Sequence, residues 1–185
     1  HCLALSGWAA GVAAGVAAGV AASGCTSGGA TQRGPATVLT RVETALGAFV
    51  IAVDPAVAPI TVANYLALVD GRHLDGGAVY RIVTLANQSP ETRHKIEVVQ
   101  WGMNLSDERP TPLPLIAHET TRQTGLRHRD GTVSMARNAP GSAAGEFFIC
   151  MGDQPELDFG GGRNPDGQGF AAFGQVVQGM DVVRK

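Results

Sequence analysis

Aromatic residues are scarce in this chain, at 5%, and the sequence has almost no bias of charge, with 14 basic and 16 acidic side chains giving a net −2. The first absence, set beside 25 glycines, argues against a helical bundle and for a loop-rich β architecture. The second argues against the basic surface that nucleic acid requires and against any strongly acidic partner. Cysteine is rarer still: Cys2, Cys25 and Cys150 have no zinc-ligand spacing. Nor do His73, His94, His118 and His128, so no metal and no cofactor is expected. Cys150 closes the apolar run Phe147-Phe148-Ile149-Cys150 and reads as a buried thiol in a strand. What remains is a chain of 185 residues, 44% hydrophobic, long enough for one domain and an appendage.

The appendage is the first part of the chain, which carries no charge before Arg33. From Leu3 to Ser23 every residue is apolar or small, with Gly7, Gly11, Gly15 and Gly19 at intervals of four. Such a stripe suits a transmembrane helix seam, but Ala and Gly make a weakly hydrophobic span. A secretory signal fits better, because the run ends in Ala21-Ala22-Ser23-Gly24-Cys25, small residues ahead of a cysteine. That ending resembles a bacterial lipoprotein cleavage box, with Ala22 where Leu is commoner, and implies lipidation of Cys25. Residues 1–24 are therefore read as a leader and 25–35 as a flexible tether rich in Ser, Gly and Thr. Residues 36–185 form the folded domain. The expectation is an exported, periplasmic protein held to the membrane through Cys25, or else a soluble periplasmic one. The chain begins at His1 without a basic n-region, so the leader is read as lacking its beginning.

Within the domain, 37–43 and 49–53 are β-branched and partly alternating, a strand hairpin. Pro59 to Gly71 has Pro in its first turn, Gly at its end and apolar residues at 61/62, 65, 68 and 69, one amphipathic helix. Short strands follow at 79–83, 96–100, 132–136, 147–149 and 171–177, separated by Gly- and Pro-rich loops. Many strands with few helices predict a β-barrel or sandwich with helices over its ends. Gly179 to Lys185 reads as the first turn of a helix cut short.

Six strings, in order, resemble the cyclophilin family: the Pro59 to Tyr65 helix; Val79-Tyr80-Arg81-Ile82; Val99-Gln100-Trp101-Gly102; Gly131-Thr132-Val133-Ser134-Met135-Ala136; Gly145-Glu146-Phe147-Phe148-Ile149; and Phe173 to Met180. The resemblance spans essentially all of 36–185. It implies a mostly β fold, the closed eight-stranded antiparallel barrel capped by helices, and peptidyl-prolyl cis-trans isomerase activity on proline-containing polypeptides. By the same resemblance Arg81 and Gln100 are the catalytic pair. Met135, Phe148 and Leu157 form the proline pocket, with Tyr80, Ala136, Arg137, Glu146 and Phe170 also touching substrate.

The departures from the family concern the site. The connection from Arg81 to Gln100 is longer than usual. Glu97 stands where the family has a pocket phenylalanine, Glu146 where it has Gln, and Glu156 where it has a rim aromatic. Phe170 takes the place of His or Tyr, and Arg137 of a common Asn. Three carboxylates around one arginine give two expectations: an acidic rim that holds Arg81 in an ion pair, or Glu97 and Glu156 turned to solvent by shifted loops. That rim supports a second reading, a proline-binding or chaperone domain with little turnover. The loop 158–169 carries Asp158, Asn164 and Asp166 without the spacing of a calcium loop, and is read as structural.

Overall fold

The computed structural model describes residues 37–103, 105 and 110–185. The leader, the tether and Cys25 lie outside the described residues. The hairpin forms first in the chain: β1 (Val38–Thr44) pairs antiparallel with β2 (Gly47–Val53). Then come helix α1 (Pro59–Asp70), β3 (Ala78–Val83) and β4 (Val98–Gly102). A single turn α2 (Thr121–Thr124), β5 (Thr132–Met135), β6 (Glu146–Cys150), β7 (Ala171–Gln178) and a short α3 (Met180–Val183) complete the order. The seven strands make one sheet in the order β1-β2-β7-β5-β6-β4-β3, antiparallel at every pairing.

The expected closed, eight-stranded barrel is not what the described residues form. A barrel closes when every strand has two neighbours, whereas β1 and β3 have one each. Between these two edges lies a cavity of about 450 Å³, lined by Thr40, Tyr65, Val79 and Trp101 among others. The sheet is curved but open there.

Each strand turns alternate residues to opposite faces, and here both faces are covered. Phe49, Ile51, Val62, Tyr65, Phe147 and Phe173 belong to the larger core, on the side that α1 packs against. Val83, Ile96, Val98, Phe148, Cys150 and Leu157 form a smaller cluster. Cys150 is fully buried there, as the apolar run around it suggested.

Helix α1 begins at Pro59 but has Ala58 at its N-cap, which offers no side-chain acceptor. Glu119, far along the chain and itself buried, supplies one. Its carboxylate accepts the N–H groups of Ile60 at 3.2 Å and Thr61 at 2.7 Å, and the Thr61 hydroxyl at 2.6 Å. A negative group there also meets the positive end of the helix dipole. The next residue, Thr120, and Gln123 cap α2 reciprocally, a Thr-x-x-Gln signature that the sequence carries in plain view. Replacing Glu119 by Ala leaves the buried Thr61 N–H and hydroxyl, and the Ile60 N–H, without this acceptor. It should lower unfolding stability by about 2–3 kcal/mol, read by urea denaturation; a loss under about 0.5 kcal/mol, the range of an ordinary surface substitution, contradicts the cap.

Candidate active site

The register of β3 on β4 sets Arg81 directly against Gln100. The pair is joined, the Arg81 guanidinium donating to Gln100 Oε1 at 2.9 Å. Both side chains line a groove of about 200 Å³. Because side chains alternate, two residues along each strand share the same face: Val83 on β3 and Val98 on β4 lie in this groove too, with Ile96. Phe148 pairs across from Gln100 on the neighbouring β6 and forms part of the floor with Leu157. Phe170 meets the Phe148 ring edge-on at 5.3 Å.

Phe148 is held from beneath. The His128 ring stacks on it at 5.8 Å between centroids, 18° from parallel. His128 is locked at both nitrogens, Nδ1 lying 2.8 Å from Asp158 Oδ1 and Nε2 2.9 Å from Ser134 Oγ. An Asp–His–Ser chain has the composition of a hydrolase triad, but Ser134 is 0% exposed and no substrate carbonyl reaches it. Its work is positioning. Asp158 also accepts the His128 backbone N–H at 3.1 Å and pairs with Arg127 at 3.5 Å. Burial pushes its carboxyl up, and the His128 hydrogen bonds and charges overcome this, so the net position lies below the usual carboxylate range.

The loop 158–169 is fastened by Arg137. Its side chain is 1% exposed; the guanidinium grips the Asp166 carboxylate with two bonds of 2.8 and 2.9 Å and donates from Nε to the Gly169 carbonyl at 2.9 Å. It also lies 5.3 Å from the centre of the Phe170 ring. Arg137 and a hydrogen bond from the Gln168 N–H hold Asp166 down to about 2. Gly169 has φ +62°, and a Cβ there would strike the backbone of Leu157 and Asp158; the loop's path requires glycine. The same loop carries Asp158, Asn164 and Asp166, and its acidic groups are used in these contacts.

Against the sequence reading, the structure brings Arg81, Gln100, Ala136, Arg137, Phe148, Leu157 and Phe170 to one groove. Met135 is not there. It pairs with Phe147 and shares the larger core with it, on the face opposite Phe148. Tyr80 and Glu146 do not line the groove either. Burial and the neighbouring Glu146 carboxylate push the Tyr80 hydroxyl up, and Glu146 Oε1 accepts the Leu105 N–H at 2.6 Å. The predicted acidic rim is also corrected. Glu156 pairs with His94 at 2.8 Å and accepts the Gly162 N–H. The Glu97 N–H donates to Gln154, and none of the three carboxylates pairs with Arg81 among the described residues. The lengthened connection allowed this: its residues Gln88 and His94 are fastened to the 154–163 segment, away from the Arg81 side chain. Val83, Ile96, Val98, Arg163 and Asn164 were missed. Counting by two from Arg81 and Gln100 finds Val83 and Val98; nothing in the sequence singles out Arg163 or Asn164.

Residues 39–185 match the family model of the cyclophilin type peptidyl-prolyl cis-trans isomerases. The chain belongs to the cyclophilin family. Peptidyl-prolyl cis-trans isomerase cyp18 of Streptomyces antibioticus is 34% identical over 142 residues, covering 76% of this chain and 78% of that one. Peptidyl-prolyl cis-trans isomerase A of Dickeya dadantii is 32% identical over 154 residues, covering 81% and 72%. Among solved structures, a cyclophilin type isomerase of Cryptosporidium parvum superposes with a TM-score of 0.60 at 16% identity, over 80% of this chain and 83% of that one. At that identity the likeness concerns the fold. With the family model and the relatives together, this cyclophilin is a peptidyl-prolyl cis-trans isomerase.

The Asp158 geometry predicts an acid limb to stability. A carboxyl lowered on folding stabilises the native state above its unfolded value, about 3.9, and that contribution disappears as pH falls through the lower folded value. Asp158→Asn should lose about 1–3 kcal/mol at pH 7 and show a shallower fall in stability below about pH 4 than the parent protein. Thermal unfolding followed across pH measures both; an acid limb of unchanged steepness contradicts the assignment.

Proposed function

We propose that Arg81 and Gln100 carry out the isomerisation, with the proline ring seated on Phe148 and bounded by Val98, Leu157 and Phe170. The observation that carries this reading is the Arg81–Gln100 hydrogen bond above an apolar floor. Rotation about an X-Pro bond is slow because the imide nitrogen shares its lone pair with the carbonyl; the barrier is about 18–20 kcal/mol. In the twisted transition state the lone pair returns to nitrogen. A fixed guanidinium proton donor favours that state and not the planar ones, which is the selective stabilisation a catalyst needs. Gln100 keeps the guanidinium pointed and leaves its own amide N–H₂ for the substrate backbone. Phe148, clamped by His128, gives the proline ring a rigid apolar seat. No covalent bond is made or broken.

The related Cryptosporidium parvum protein has been solved in the presence of the dipeptide Ala-Pro, which supports a proline-containing ligand for this groove. The alternative reading, proline binding without turnover, depended on Arg81 being held by carboxylates. The Glu156 and Glu146 carboxylates bond to His94 and to the Leu105 N–H, and none of the three carboxylates pairs with Arg81 among the described residues, which removes its support. Export and attachment to a membrane through Cys25 rest on the sequence alone, on the small-residue run ending at Cys25.

In a protease-coupled assay on an Ala-Pro peptide, Arg81→Ala should reduce kcat/KM by about 10²–10³-fold without changing the unfolding midpoint. An unchanged rate contradicts the role given to Arg81. For the anchor, mass spectrometry of membrane fractions from an expressing bacterium should find a diacylglycerol-modified Cys25 as the first residue. A soluble, unmodified product starting beyond Cys25 contradicts it.

A further inference from the structure

The groove that holds Arg81 holds a second guanidinium, that of Arg163. Arg163 is half-buried, and its backbone N–H is tied to the Glu156 carbonyl at 3.1 Å. One terminal nitrogen donates to the His94 carbonyl at 3.0 Å and to Gln88 Oε1 at 3.3 Å. These are neutral acceptors. No carboxylate pairs with Arg163 among the described residues, since Glu156 is occupied by His94 and Asp166 by Arg137. Burial and the charge of Arg81 together push Arg163 below its ordinary range, as expected for two like charges facing one concavity. Beside them Asn164 lines the same groove, and its buried Nδ2 has no acceptor among the described residues.

The site therefore presents two cations and an unmatched amide donor, and no described carboxylate lines it. Arg137, the third arginine of the groove, is neutralised by Asp166 and adds nothing to this field. A concave, low-dielectric wall concentrates the field of the remaining pair. A charge-assisted bond from a guanidinium to an anion is about twice as strong as one between neutral groups.

We propose that Arg163 is a specificity-determining residue: with Arg81 and Asn164 it selects X-Pro substrates that carry an anionic side chain on a residue flanking the proline. This rests on the isomerase site assigned above. The anion can be a carboxylate of Asp or Glu or the phosphate of a phosphorylated hydroxyl residue, and the same chemistry recognises both. Arg163 is held in place by the 84–97 connection through His94 and Gln88. That segment accordingly serves as the strut of a subsite and not as a neutral insertion.

The test compares peptides identical except at one flanking position: Ala-Pro, Glu-Pro, phosphoserine-Pro and Lys-Pro, with Pro-Glu and Pro-Lys for the other side. Turnover is measured by exchange NMR and affinity by calorimetry on the same peptides. On at least one side of the proline, the wild-type protein should prefer the acidic over the lysine peptide by about tenfold, equivalent to about 1.4 kcal/mol. The preference should shrink as ionic strength rises and the charges are screened. Arg163→Gln should bring the ratio to within about twofold, and Arg163→Lys, which keeps the charge, should retain most of it. Comparison of the Glu and phosphoserine peptides shows which anion is the better ligand. Equal handling of acidic and lysine peptides on both sides, or a preference that survives Arg163→Gln, overturns the proposal. Failure of the isomerase reading is a separate result: no peptide, Ala-Pro included, would be turned over, and the affinity ratios would still decide the role of Arg163.

Discussion

A β-strand turns successive side chains to opposite faces, and the whole site depends on that alternation. On β4, Val98 and Gln100 face the groove while Trp101 belongs to the larger core. On β6, Phe148 and Cys150 belong to the smaller cluster, and Phe147 and Ile149 to the larger. On β5, Val133 and Met135 face inward while Ser134 reaches the His128 beneath Phe148. A slip of one residue in any of these strands would exchange the groove face for a core face. The buried Phe147, Tyr65 and Phe173, whose rings lie 5.2–5.8 Å apart, resist such a slip by filling the interior.

The rim depends on loops fastened to one another and to the sheet. Arg137 secures the 158–169 loop through Asp166 and Gly169, while Arg163 joins it to Gln88 and His94 of the 84–97 connection. Asp158 leaves the same segment to lock His128 from below. Polar side chains near the groove are thereby consumed in holding its walls. What stays available is a small set of donors above an apolar floor, the composition expected of a site that must bind an apolar ring and act on a polar bond beside it.

Much of this was legible in the sequence. The helix at Pro59, seven strands and the Arg81, Gln100 and Phe148 positions all follow from pattern and family resemblance, because period and punctuation are local properties. Parity along β5 keeps Met135 out of the groove, which a family string alone does not reveal: Ser134 faces the same way as Phe148, so its neighbour cannot. The acidic rim failed for a different reason. Glu146 and Glu156 stand in positions that touch substrate in the family, but a carboxylate's direction depends on which donors lie nearest, and Leu105 and His94 come from other segments. Arg163 was invisible for the same reason, since its significance arises from a fold that places it beside Arg81. Glu119, buried at the N-terminus of α1, cannot be distinguished from a surface loop residue without tertiary contacts.

A crystal structure with an X-Pro peptide bound tests the central assignment most directly. The account places the proline ring over Phe148, between Leu157 and Phe170, with the Arg81 guanidinium within hydrogen-bonding reach of the imide nitrogen, about 3 Å, and Gln100 bonded to the substrate backbone. A peptide seated in the cavity between β1 and β3, or one bound in the groove with Arg81 turned away from its X-Pro bond, would contradict it.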